Sequence, residues 1–223
     1  MTTQTAAQAL VAQLHANGVR HVFTVPGESF LPVLDALHDS GITVTTCRHE
    51  GGAAMMAEAV GKVTGKPGIC IVTRGPGATN ASAGVHVAQQ DSSPMILFVG
   101  QIERGQRDRE AFQELDYRAA FGPQAKWATE IEDPARVPEY VSRAFHMATA
   151  GRPGPVVMAL PKDVLKEPCL CPPRTLCCRS LRYTRCDIAS RRPGFGRRTQ
   201  ERLHHVLLLG RASLGKRWGL SKR

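Results

Sequence analysis

The chain has 223 residues, enough for one domain with a real core, and its apolar share of 42% is ordinary for a globular protein. Its formal charge of +10 is unevenly spread: residues 1–167 carry 15 Lys/Arg against 17 Asp/Glu, so residues 168–223 carry the other 14 against 2. A near-neutral first three quarters excludes a general affinity for nucleic acid or an anionic membrane, and no apolar run nears the ~20 residues that span a bilayer.

In chain order, residues 5–17 place Ala6, Leu10, Val11 and Leu14 at helical spacing, and Asn17-Gly18 stops the helix. His21-Val22-Phe23-Thr24-Val25 reads as a strand closed by Pro26-Gly27. A helix is expected over 30–38, a strand over 42–47 and an alanine- and methionine-rich helix over 51–64. An apolar strand over 68–73 runs into the turn Arg74-Gly75-Pro76-Gly77, followed by a helix of small residues over 78–89. Further strands are expected over 94–99 and 155–160, with an amphipathic helix over 134–150 between them. The start of the chain is polar and alanine-rich, without the basic and apolar stretches of a secretion signal, which predicts a cytoplasmic protein.

Strands and helices alternate, and the strands are near-continuous apolar runs. That pattern predicts an α/β fold, a doubly wound parallel sheet with helices on both faces. In such sheets ligands sit where the carboxyl ends of the strands open into helices. The rhythm ends at residue 165, so the expected domain is 1–165 and the expected tail 166–223, basic and rich in Cys, Arg and Pro. The tail is expected to be largely disordered. Two origins stay open for it: out-of-frame translation of a longer gene, or a genuine basic extension. Cys47 and Cys70 read as buried, reduced thiols. The tail's Cys169, Cys171, Cys177, Cys178 and Cys186 lack a Cys-x-x-Cys pair, so no metal site is expected.

The residues that could carry chemistry fall at strand ends. Glu50 follows one strand and begins a helix among small neighbours. Taken alone it reads as a carboxylate at a helix start, where acidic residues are favoured. Val72-Thr73-Arg74-Gly75-Pro76-Gly77-Ala78-Thr79-Asn80 is a strand, turn and helix start that lacks the ending of a phosphate-binding P-loop. Val25-Pro26-Gly27-Glu28, Asp91-Ser92-Ser93-Pro94, Gly100-Gln101, the polar loop Ala111-Phe112-Gln113-Glu114, Gly151-Arg152-Pro153-Gly154-Pro155-Val156 and Pro161-Lys162-Asp163-Val164 complete the set.

In this order and spacing, these motifs resemble the N-terminal domain of acetolactate synthase and its relatives, the thiamine diphosphate-dependent carboligases and decarboxylases. The resemblance covers residues 5 to about 165. It implies thiamine diphosphate as cofactor, with the protein binding and polarising it. Glu50 matches the catalytic glutamate that hydrogen-bonds the aminopyrimidine ring. Pro26, Gly27, Pro76, Gly77 and Asn80 match residues beside that ring. Phe112, Gln113 and Lys162 match residues on the substrate side, and Gln101 is a weaker match. The implied substrate is a 2-keto acid and the implied partner a second subunit or copy, with no specific nucleic acid and no membrane.

Two departures stand out. Gly51 occupies the place where many acetolactate synthases have glutamine, and Pro-Gly-Glu-Ser replaces the Pro-Gly-Gly of many of them. The Gly-Asp-Gly motif through which the family's last domain holds magnesium and the diphosphate is nowhere in the chain. The resemblance thus implies a truncated carboligase or decarboxylase, inactive alone. A non-catalytic binding module that keeps the fold and carries a basic tail is the alternative.

Overall fold

Six parallel strands lie side by side at the centre of the computed structural model, which describes residues 4–169. Expectations placed on residues 170–223 lie outside the described residues. The element order is β1 (Gln4–Thr5), α1 (Ala6–Ala16), β2 (His21–Thr24), α2 (Leu31–His38), β3 (Thr43–Thr46), α3 (Glu50–Thr64), β4 (Gly68–Val72), α4 (Pro76–Asp91), β5 (Met95–Gln101), α5 (Tyr117–Phe121), β6 (Trp127–Glu130), α6 (Val137–Thr149), β7 (Pro155–Pro161), α7 (Lys162–Lys166) and β8 (Pro168–Cys169). The fold is the expected α/β arrangement.

Local sequence sets most boundaries. Thr5 caps α1 in a capping box with Gln8. Gly18 and Gly65 take left-handed φ values of 79° and 69° just past α1 and α3, where a side chain would be strained. β4, β5 and β7 are buried along their whole length, which is why each is an unbroken apolar run.

Helices cover both faces of the sheet. On one, Leu10, Leu14, Val33, Leu37 and Val141 pack against Ile69, Ile71, Ile96, Phe98 and Met158. On the other, α3, α4 and α5 bring Ala53, Ala57, Ala81, Val85 and Phe121 against Cys70, Val72, Leu97 and Val99. Small residues set the close fit of α3 with α4, since a Cβ on Gly84 would lie 2.5 Å from that of Ala54. Cys70 is buried and Cys47 half-buried, both as free thiols, and burial pushes the Cys70 thiol well up.

The strand order β3-β2-β4-β5-β7-β6 reverses beside β2, whose neighbours are β3 and β4. The crevice at such a reversal, outside the carboxyl ends of the strands, is where open α/β sheets bind ligands. The turns after β2, β3 and β4 all open there.

Five elements were not foreseen: β1, β6, α5, α7 and β8. β6 is an edge strand of mixed composition, and α5 and α7 have five residues each, too few to show a helical period. The fold also runs past residue 165: β8 pairs antiparallel with β1, and the Ala6 N–H donates to the Glu167 carbonyl at 2.9 Å. Among the described residues no helix is long and apolar enough to cross a membrane.

Candidate cofactor site

Glu50 is the first residue of α3. The backbone reaches it through His49, whose ring Nδ1 accepts the Gly51 N–H at 3.0 Å and so caps the helix. The half-buried Glu50 side chain turns towards α4, where Asn80 Nδ2 donates to Glu50 Oε2 at 3.0 Å. The other oxygen, Oε1, faces Gly77, and a Cβ built there would come within 3.3 Å of it. Asn80 thereby fixes the rotation of the carboxylate, with Oε1 on the Gly77 side.

Glycine is required at the neighbouring turns. A Cβ on Gly77 would lie 2.7 Å from Thr73 Cγ2, and one on Gly27 would lie 2.4 Å from Thr73 Cβ. Thr73 is thus the wedge between the two glycine turns, and its hydroxyl lies 2.9 Å from that of Ser29. Gly75 has φ 59°, and a Cβ built on it would lie 2.8 Å from that of Gln113. The Gly75 N–H donates to the Tyr117 hydroxyl at 2.9 Å. Burial raises the pKa of that phenol, keeping it protonated.

The loop between β5 and α5 closes over this turn. Asp108, Glu110 and Gln113 take left-handed φ values of 60°, 52° and 65°, which are strained for residues with side chains. The Glu114 carboxylate holds the loop by accepting the N–H groups of Asp108 and Ala111 at 2.8 and 3.0 Å. Those bonds, that of Asp108 first, hold its carboxyl below the usual range. Phe112 is 77% exposed, and its carbonyl accepts from Arg74 Nε at 3.2 Å.

The structure brings Glu50, Gly77 and Asn80 into direct contact and joins Gly27 to them through Thr73. Pro76 is the first residue of α4, and Pro26 lies exposed in the turn before Gly27. Gln113 packs on Gly75, whereas Lys162, at the end of β7, pairs with Glu28. Gln101 is fully buried and pins backbone: its amide donates to the Leu115 carbonyl at 2.8 Å, and its oxygen accepts the Ile102 N–H at 2.9 Å. Thr73 and Arg74 stood in the quoted turn motif without an assigned role. Tyr117 was missed, because it lies 42 residues from the Gly75 it binds and no local pattern marks it.

These residues suit a flat heteroaromatic ring. Glycines at 27 and 77 leave backbone bare beside a carboxylate whose rotation is fixed, so a ring nitrogen could meet Glu50 while the ring lies on the turns. A reversing parallel sheet with this carboxylate at its switch point defines a coenzyme-binding α/β domain. A family profile described as "Thiamine pyrophosphate enzyme, N-terminal TPP binding domain" matches residues 4–120. The chain belongs to this family, and its cofactor is thiamine diphosphate.

Curated relatives agree. The chain is similar to the acetolactate synthase of Bacillus subtilis (strain 168), 41% identical over 161 residues, covering 72% of this chain and 28% of that protein. The probable acetolactate synthase large subunit of Methanocaldococcus jannaschii is 43% identical over 158 residues, 71% of this chain and 27% of that one. The acetolactate synthase isozyme 2 large subunit of Escherichia coli K12 is 42% identical over 158 residues, 71% and 29% respectively. The chain spans less than a third of the length of these relatives. It holds the thiamine diphosphate-binding domain of an acetolactate synthase-like protein.

Proposed function

We propose that this domain is the pyrimidine-binding half of a carboligase or decarboxylase that acts on 2-keto acids. The observation that carries the reading is the oriented Glu50 carboxylate above Gly77. When bound, thiamine diphosphate supplies the electron sink that lets a carbon–carbon bond beside a carbonyl break or form. With the cofactor bound, Glu50 would hold a proton at Oε1 against a ring nitrogen, and Asn80 keeps the carboxylate from rotating away. Pro26, Gly27, Pro76 and Gly77 seat the ring, and Phe112, Gln113 and Lys162 stand on the substrate side.

In this reading magnesium and the diphosphate are held outside this domain. Residues 166–223 are read with it, as a tail to be traced in the coding DNA downstream of residue 165. A second subunit or copy completes the site. In support, Met55, Met56 and Val63 on α3 are 39%, 39% and 85% exposed, a stripe of apolar surface on the helix that starts at Glu50. A cytoplasmic setting belongs to the same reading.

The test is Glu50→Gln in an enzyme of the relatives' full length that carries this domain. Turnover falls by about two orders of magnitude or more, the scale of a lost proton-transfer group. Near-normal turnover overturns the reading.

A further inference from the structure

Beyond the cofactor carboxylate, the same edge of the sheet holds an ion cluster drawn from three strand ends. Glu28 lies in the 3-10 turn after β2, Arg74 just after β4, and Lys162 just after β7. Glu28 Oε2 pairs with Arg74 Nη2 at 3.2 Å, and Glu28 Oε1 pairs with Lys162 Nζ. Two cations therefore share one carboxylate. The next acid, Asp163, is engaged elsewhere, since Arg104 Nε donates to its Oδ2 at 2.7 Å.

The three side chains differ in how firmly they are held. Arg74 is 14% exposed and Lys162 is 25% exposed, whereas Glu28 is 54% exposed. Arg74 is anchored a second time, through Nε, on the carbonyl of Phe112. The cations are fixed and mostly covered, and the carboxylate between them is the partner in reach of solvent. The cluster also adjoins the ring site: Ser29, next to Glu28, touches Thr73, and Thr73 packs on Gly77 beneath Glu50.

We propose that Arg74 and Lys162 form a carboxylate-binding subsite in which Glu28 is a displaceable internal counterion, so that an incoming 2-keto acid carboxylate takes the place of the Glu28 side chain. The guanidinium offers a planar fork and the ammonium a point charge, a pair suited to one small carboxylate. Glu28 keeps the two like charges neutralised while the subsite is empty. The choice of a 2-keto acid rests on the function proposed above, whereas the displacement rests on the cluster alone.

The sign of one substitution separates displacement from a plain structural salt bridge. The 223-residue chain is titrated with pyruvate and with its neutral ester methyl pyruvate, followed by backbone amide shifts around residues 28, 75 and 162. In Glu28→Gln the competing charge is gone and pyruvate binds more tightly, by about two- to fivefold, the range of a partly exposed ion pair. Lys162→Gln weakens pyruvate by a similar factor, Glu28→Asp stays near wild type, and the ester responds alike in all four proteins. The dispersion of the same spectra reports folding.

Unchanged or weaker pyruvate binding in Glu28→Gln overturns displacement, as does an absence of pyruvate shifts in every protein. Binding of inorganic diphosphate without pyruvate overturns the carboxylate assignment. Thiamine diphosphate added to the same samples reads the cofactor site separately, at the amides of Glu50 and Asn80. A response there without the pyruvate result sinks only the subsite, and the reverse sinks only the cofactor reading.

Discussion

Asn80 Nδ2 donates to Glu50 Oε2 at 3.0 Å, tying the first turn of α3 to the second turn of α4 across 30 residues of sequence. Both helices start at the reversal of strand order, so the bond spans the crevice mouth. Asn80 is exposed and Glu50 half-buried, so the pair contributes modestly to stability and more to orientation. Asn80→Ala is therefore expected to shift the unfolding midpoint by less than about 1 kcal/mol. The same variant is expected to weaken thiamine diphosphate binding in the full-length setting by about tenfold, the worth of one charge-assisted hydrogen bond. Unfolding and cofactor titration on one preparation check both, and a large stability loss with unchanged binding refutes the orienting role.

Thr73 wedges between two glycine turns, and this gives a paired test. In Gly77→Ala the new methyl would meet Thr73 Cγ2 at 2.7 Å and is expected to cost about 1–3 kcal/mol, the range of overpacking. Thr73→Ser removes that Cγ2 while keeping the hydroxyl that faces Ser29. The double variant should recover part of the loss, which a double-mutant cycle in urea measures. Strict additivity of the two changes argues against the contact.

The Glu58 carboxylate is 6% exposed and accepts a hydrogen bond from Ser93 Oγ at 2.7 Å, joining α3 to the segment before β5. Ser93→Ala strips a buried carboxylate of this donor without adding volume. The expected cost is about 1.5–3 kcal/mol, the scale of a hydrogen bond to a charged group. Denaturant unfolding with an unchanged slope checks it, and a midpoint equal to wild type shows that the carboxylate is satisfied without Ser93.

Much of this was legible in the sequence, for physical reasons. β4, β5 and β7 are buried on both faces and so read as unbroken apolar runs. Gly27 and Gly77 stand where a Cβ has no room, so the turns announced themselves. β6 did not, because an edge strand with half-buried Trp127 and Ala128 has neither a run nor an alternation. The pairing of Lys162 with Glu28 joins residues 134 apart, and no local pattern encodes it. Glu50 was singled out by its motif company, but the partner that orients it, Asn80, acquires that role only when α3 and α4 pack side by side.

The acid side of the stability curve follows from the same ion pairs. The hydrogen bond from Lys162 and the charge of Arg74 pull the Glu28 carboxyl below the ordinary glutamate value of 4.5. Hydrogen bonding by Arg136 does the same for Glu139. A carboxyl whose folded pKa is depressed contributes stability that is fully present above the unfolded value and is lost as pH falls through the folded one. Urea midpoints are thus expected to be level from pH 7 to about 5 and to drop below about pH 4.5 as these groups take up protons. Both sites are partly exposed, so added salt should shrink the drop by screening. Glu139→Gln should flatten part of the curve while lowering the plateau at pH 7. If that variant keeps the full acid drop and the wild-type plateau, Glu139 plays no part in it.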